Sequence, residues 1–353
     1  MDQATKGKTL KTSKNLYERI ISFSNLLKAA KLAQRGKRFK ESTAQFNFNL
    51  EKALWKLHQE LADKIYQPGK YYNFEIYEPK KRMISAAPYR DRVLHHAIHN
   101  ILEPLFDPAF IFDSYATRKG KGTHKAIDRA QSFAQKNAYV LKCDIRKYFP
   151  SIHHEVLMSL IKKRIVCENT LWLVQKILDS HFVERDLHQS IGIPIGNLTS
   201  QFFANIYLNG MDHFLKEEMK FQYYLRYMDD FLVFSDEKNS LWQMKKKIVQ
   251  YLEALKLKLH EGKCRIFKTK MGFPFLGMMI SPDKRRLKRE NILRFKKRMK
   301  KLQNTYGKGE EDLKTVHQSV NAWLGYSKHA NTIRLRELLL EDIVFQRQTG
   351  DES

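Results

Sequence analysis

The chain has 353 residues, with 64 Lys plus Arg against 38 Asp plus Glu and a formal charge of +26. Its 42% apolar and 12% aromatic content excludes general disorder, and no apolar run approaches the roughly 20 residues that cross a bilayer. So large a positive surplus repels itself unless a polyanion offsets it, which makes nucleic acid the leading partner, ahead of a membrane surface.

Residues 1–14 are polar and lysine-rich and read as a mobile arm without the apolar core of a signal peptide. Cys143, Cys167 and Cys264 lie far apart, are odd in number and fit neither a disulfide framework nor a zinc motif. A cytoplasmic location is therefore expected. From Leu16 to Tyr66 the spacing is helical, with Leu54, Leu57, Leu61 and Ile65 three or four apart. Pro68-Gly69 stops this region, and Tyr72–Tyr77 alternates as a strand does. A helix is expected from Arg90 to Glu103, ended by Pro104 and Pro108. Ser114–Gly122 is a loop rich in glycine and cations, and Thr123 is expected to cap a helix through Phe133.

The next segment changes character. Tyr139, Leu141, Cys143 and Ile145 share one strand face, and Val140, Lys142 and Asp144 the other. Two helices are expected within 153–180. Gly192-Ile193-Pro194-Ile195-Gly196 then leads into an amphipathic helix through Leu198, Phe202, Ile206, Met211 and Leu215. Tyr223–Met228 and Phe231–Phe234 read as a hairpin whose turn is Asp229-Asp230. After a further helix through Leu241–Leu255, residues 284–301 hold eleven Lys or Arg with Glu290 as the one acid. That run still carries the helical stripe Ile292, Phe295, Met299 and Leu302. Helices near 312–329 and 332–345 complete a small bundle before a polar tail at 346–353.

Adjacent aspartates suit an ordinary turn. Asp144, near the end of another strand, offers a second reading: three carboxylates on one sheet, tolerable only with cations bound. Hard oxygen ligands select magnesium or manganese. Two such ions about 3.5–4 Å apart serve in-line displacement at phosphorus. With a basic surface to hold a polyanion, the combination points to phosphoryl transfer on nucleic acid. His95, His96 and His99 lack accompanying ligands at suitable spacing and read as packed helix histidines.

The order of an aspartate strand, a glycine loop with helix, and an aspartate hairpin separates polymerase from nuclease. Here the sequence resembles reverse transcriptases. The matching segments are Ser114-Tyr115-Ala116-Thr117-Arg118, Asp144-Ile145-Arg146-Lys147-Tyr148-Phe149, Gly192–Tyr207, the YxDD box Tyr227-Met228-Asp229-Asp230, and Phe275-Leu276-Gly277. The resemblance implies an α+β right-hand polymerase, with fingers at 15–138, a ferredoxin-like palm at 139–283 and a helical thumb at 284–345.

By matching positions it also implies roles. Asp144, Asp229 and Asp230 would be catalytic and hold two Mg2+ (or Mn2+) ions, with Ile145 lending its carbonyl. Arg82, Lys80, Phe149, Ile195 and Gly196 would bind the incoming dNTP, Phe149 as the steric gate against a ribose 2′-hydroxyl. Arg118, Lys119, Lys121, Gly277, Arg294, Lys297 and Arg298 would hold template RNA and the cDNA/RNA duplex.

Most relatives carry Pro-Gln-Gly where this chain has Pro194-Ile195-Gly196. The aliphatic replacement resembles the reverse transcriptases of diversity-generating retroelements. That implies error-prone copying at template adenines and a small basic accessory protein as partner. A phage-defence reverse transcriptase that makes cDNA without diversifying a gene, and a non-catalytic RNA-binding protein on a polymerase scaffold, remain the alternatives. Past Phe345 no maturase, endonuclease or RNase H region is expected.

Overall fold

Leucines spaced by three and four, strands that alternate, and glycines at tight turns resolve into thirteen helices and eleven strands among the described residues. The computed structural model describes residues 15–77, 81–181, 184–186 and 189–347. The arm at 1–14, Lys80 and most of the polar tail fall outside them.

The N-terminal region forms α1 (Leu16–Ile21), α2 (Phe23–Ala33), α3 (Glu41–Phe48) and α4 (Leu50–Ala62). Leu16, Leu26, Leu54, Leu57 and Leu61 are all buried in one core. The hairpin β1 (Tyr72–Ile76) and β2 (Arg82–Ala86) follows; sequence reading found its first strand only. Helix α5 (Tyr89–Phe106) runs through Pro104 rather than ending before it. A proline in the last turn forfeits one backbone bond, and burial of Leu102 and Phe106 offsets that loss.

After the loop at 111–122 comes α6 (Thr123–Ala134), capped by Gly122 at φ 108° and not by Thr123. The Thr123 hydroxyl instead donates to the Tyr227 hydroxyl at 3.0 Å. Strand β3 (Tyr139–Asp144), helices α7 (His154–Lys162) and α8 (Glu168–Asp179), and a small hairpin of β4 (Glu184–Asp186) and β5 (Gln189–Ile191) lead to α9 (Leu198–His213). Helix α9 is not one-sided as its apolar spacing suggests. Thr199, Ser200, Asn205 and Asp212 are buried along with its apolar residues, because α5, α7 and α10 (Lys238–Ala254) pack around it.

Strands β6 (Tyr224–Tyr227), β7 (Asp230–Ser235) and β8 (Arg265–Lys268) join β3 in an antiparallel sheet of order β6-β7-β3-β8. One face, with Leu141, Cys143, Phe231 and Val233, packs into the core shared with the helices. The opposite face, with Val140, Leu225, Leu232 and Phe234, packs on α6 and on a second sheet. The two-residue turn between β6 and β7 is Met228-Asp229, one position earlier than the sequence suggests, since Tyr227 pairs with Asp230. Met228 takes the left-handed φ of 59° that such a turn needs. Cys143 and Cys264, remote in sequence, stand with their sulfurs 2.8 Å apart because β3 pairs with β8.

The second sheet holds β9 (Phe273–Phe275), β10 (Met278–Ile280) and β11 (Arg285–Leu287) in the order β11-β10-β9. The start of the cationic run is thus strand, paired with β10, and only then does α11 (Arg289–Gly307) begin. Helices α12 (Leu313–Ser327) and α13 (Ile333–Leu340) complete the bundle, with Trp323 stacked on Phe295 at 3.9 Å. The last helix stops at Leu340, five residues short of the expected end.

Leu276 and Gly277, at φ 44° and 87°, form the β9–β10 turn, the positive pair a type I′ hairpin requires. The Gly277 carbonyl accepts from Asn291 of α11 at 3.1 Å and from the Tyr326 hydroxyl of α12 at 2.9 Å. A methyl on Gly277 would stand 2.6 Å from that hydroxyl. Gly277→Ala is therefore expected to destabilise the fold by more than the about 1–2 kcal/mol of left-handed strain alone. Adding Tyr326→Phe should recover part of the loss in urea titrations, and strictly additive losses would contradict the contact.

Candidate active site

Asp144 ends β3 and Asp230 begins β7, and the antiparallel register sets the two directly opposite. Residues so paired share a sheet face with Cβ atoms about 4.5–5.5 Å apart. Asp229 occupies the turn beside them, where its carbonyl accepts from the Ile145 amide at 3.3 Å. The three carboxylates that sequence places up to 86 positions apart therefore line one cleft of about 800 Å³.

Electrostatics record the crowding. Burial first, then the charge of Asp144, raises the Asp229 carboxyl above its ordinary value. Burial likewise pushes Asp230 up to about 6; Lys142 opposes this, while Asp144 and Asp229 add to it. Two ammonium groups hold the cluster. Lys142 pairs with Asp230, and Lys263 with Asp144 at 2.7 Å. Lys142 lies two residues before Asp144 on the same strand face, so its direction was legible in the alternation. Lys263 sits in a 3₁₀ turn before β8 and left no local signal.

Among the described residues, no three carboxylate, imidazole or thiol groups enclose a metal-sized space as the side chains stand. Instead, the Asp230 and Asp144 carboxylates are paired with the Lys142 and Lys263 ammonium groups. The donor set still fits: carboxylate oxygens are hard ligands, and Lys142 and Lys263 already supply the positive charge that this cluster requires. Asp144, Asp229 and Asp230 would hold a divalent ion by such oxygens.

Of the residues assigned to the nucleotide, Arg82, Phe149 and Ile195 line the same cleft. Arg82 is close enough to lower the Asp229 carboxyl against the effects of burial and Asp144. The hairpin carrying Arg82 is fixed on the Ile195 loop, since the Ser85 amide donates to the Ile195 carbonyl at 3.3 Å. Gly196, at φ 111°, allows that approach, because a methyl there would meet the Ile84 side chain at 3.1 Å. Ala116, Thr117, Gln201 and Leu276 also line the cleft; each lies in a segment matched from sequence, with no role of its own assigned there.

The residues assigned to template and primer divide. Gly277 lines the cleft, and Lys119, Arg294, Lys297 and Arg298 are exposed. Arg118 is turned inward. Its guanidinium donates to the Asp107 carboxylate at 2.6 Å and to the carbonyls of Ile111 and Ser114 at 2.7 and 3.0 Å. These bonds make it a brace of the loop, with its guanidinium engaged within the chain. Lys121 donates to the Phe112 carbonyl at 2.7 Å and lies 3.3 Å above the Phe112 ring. His95 and His96 are packed in α5, where burial pushes them down to about 3 and about 4, and so they remain neutral.

Comparison with known proteins bears on this geometry. Residues 73–280 match the family described as reverse transcriptase (RNA-dependent DNA polymerase). Protein YkfC of Escherichia coli K12 is 26% identical over 265 residues, covering 63% of this chain and 69% of that protein. The group II intron-encoded protein LtrA of Lactococcus lactis subsp. cremoris is 28% identical over 177 residues, covering 48% of this chain and 30% of LtrA. Apo telomerase from Candida tropicalis superimposes with a TM-score of 0.48 at 14% identity, over 77% of this chain and 60% of that one. The matched segment runs from β1 to β10, includes all three aspartates and spans more than half of the sequence. The α+β right-hand polymerase architecture is thus joined to its family signature, and the chain belongs to the reverse transcriptase (RNA-dependent DNA polymerase) family.

Proposed function

We propose that this chain copies a template RNA into cDNA by two-metal-ion nucleotidyl transfer, and that it does so inaccurately at template adenines, within a diversity-generating retroelement. The observation that carries the polymerase reading is the pairing of Asp144 with Asp230, with Asp229 in the adjoining turn, in a cleft shared with Arg82, Phe149 and Ile195. The proposal keeps the fingers, palm and thumb limits expected from sequence and a cytoplasmic location. Template RNA, the cDNA/RNA duplex, dNTPs and a small basic accessory protein are its proposed partners.

Asp144, Asp229, Asp230 and the Ile145 carbonyl would hold Mg2+ ions, with Mn2+ able to substitute. Such ions, when bound, ease deprotonation of the primer 3′-hydroxyl and offset charge on the departing pyrophosphate. Arg82 presents a planar fork suited to triphosphate oxygens. The Phe149 ring, half-buried against the core, would crowd a ribose 2′-hydroxyl. Exposed cations of α11 would follow the duplex backbone without reading bases.

Ile195 supports the inaccurate-copying part of the proposal. An aliphatic side chain at the cleft wall offers no hydrogen bond with which to test base-pair geometry near the sugar. Discrimination then depends on stacking and shape, and each ~1.4 kcal/mol forgone costs about tenfold.

Wild type and four variants test this reading. Wild-type protein with an RNA template, annealed primer, dNTPs and Mg2+ should extend the primer. Asp144→Asn should slow extension by at least roughly a hundredfold while leaving duplex binding intact; no extension by wild type would reject the polymerase. Sequenced cDNA from Ile195→Gln should carry about tenfold fewer errors opposite adenine, and an unchanged spectrum would reject the fidelity role. Arg118→Ala should cost about 2–3 kcal/mol of stability through its lost charged hydrogen bonds without changing the salt slope of RNA binding. Lys119→Ala should do the reverse in the same two measurements.

A further inference from the structure

One arginine under the catalytic turn uses every donor it has. Arg226, in β6 two residues before Met228, is fully buried and carries five N–H groups. Nε and one Nη2 bond reach the two oxygens of Asp212 on α9 at 2.7 and 2.6 Å. The second Nη2 bond reaches the Ser114 hydroxyl at 3.4 Å. Nη1 divides between the Asn205 side-chain oxygen at 3.1 Å and the Met228 carbonyl at 3.0 Å.

The last of these bonds reaches the turn itself. Met228 is held at φ 59°, which is costly for a residue with a Cβ, so its peptide needs an outside partner to stay in place. That peptide sets the direction in which Asp229 leaves the turn. The Asp212 fork fixes the guanidinium from the opposite side, and the Tyr224 hydroxyl supports Asp212 at 2.6 Å. Asn205 extends the same set to the cleft wall, donating to the Ala116 carbonyl at 2.9 Å and the Thr117 hydroxyl at 3.1 Å. A single buried cation therefore links α9, the loop at 114–117 and the turn between β6 and β7.

Resting on the polymerase reading, we infer that Arg226 is a positioning residue for catalysis. It acts through the Met228 carbonyl to hold the Asp229 carboxylate in its working direction. It touches neither substrate nor ion, being sealed from the cleft. A buried ion pair could instead serve stability alone, and the two roles differ in what each partner's loss should do. Asp212→Asn keeps a planar acceptor and leaves Arg226 on the Met228 carbonyl. Arg226→Lys keeps the charge, but its single ammonium is drawn to Asp212, which leaves that carbonyl without its donor.

Primer extension and hydrogen exchange on the metal-free full chain separate the roles. Both variants should lower the melting temperature. Arg226→Lys should reduce kcat at least tenfold, with the KM for dNTP and the affinity for primer–template within threefold of wild type. It should also speed amide exchange in the peptide spanning 227–231 but not in β3. Asp212→Asn should keep kcat within threefold and leave exchange at the turn slow. Equal loss of kcat in the two variants, or wild-type exchange at the turn in Arg226→Lys, would overturn the assignment. If wild type extends no primer, the polymerase reading falls, and exchange at 227–231 still judges whether Arg226 holds the turn.

Discussion

The antiparallel register between β3 and β7 is the constraint on which the rest depends. A shift by one residue would turn Asp144 or Asp230 to the opposite face of the sheet, into the core with Cys143 and Phe231. Packing on both faces opposes that shift. Leu141 and Cys143 belong to one core and Val140 to the other, so a slipped strand would exchange the side chains of two separately packed cores and carry Lys142 and Asp144 out of the cleft. Hydrophobic packing thus holds like charges together where their own repulsion would part them, and Lys142 and Lys263 moderate that repulsion.

Strands and helices whose period is written in the chain are legible in the sequence. The β3 faces, the α7–α8 pair, the hairpin at the YxDD box and the apolar stripe of α11 all follow from spacing between neighbours. Misreadings arose where a local signal met a tertiary demand. Pro104 marks a helix end by its chemistry, yet Phe106 is buried one half-turn further on. Thr123 resembles a cap, yet its hydroxyl is engaged by Tyr227, more than a hundred residues away. Arg286 looks like part of a cationic helix, yet it pairs in a strand because Met279 lies opposite.

The same division runs through the site. Asp144, Asp229 and Asp230 were found by motif order, and Arg82, Phe149 and Ile195 by matching position; all six line the cleft. Arg118 satisfied the pattern and still turned inward, because Asp107 and two carbonyls lie within reach of its guanidinium. Lys263 could not be anticipated, since only the β3–β8 pairing brings the turn before β8 alongside Asp144. Side-chain type and spacing identify a chemical group. They do not say whether its bonding capacity is already satisfied at home.

The knot at Gly277 has a mechanical consequence. Asn291 and Tyr326, on different helices, share one acceptor in the β9–β10 turn, and Tyr326 also accepts from Asn291 at 2.9 Å. With three groups closing a triangle, neither α11 nor α12 can tilt without tugging the hairpin that borders the cleft. The bundle is consequently coupled to the chamber at its base: a tilt of either helix strains the bonds at Gly277 and so bears on the turn it shares with Leu276.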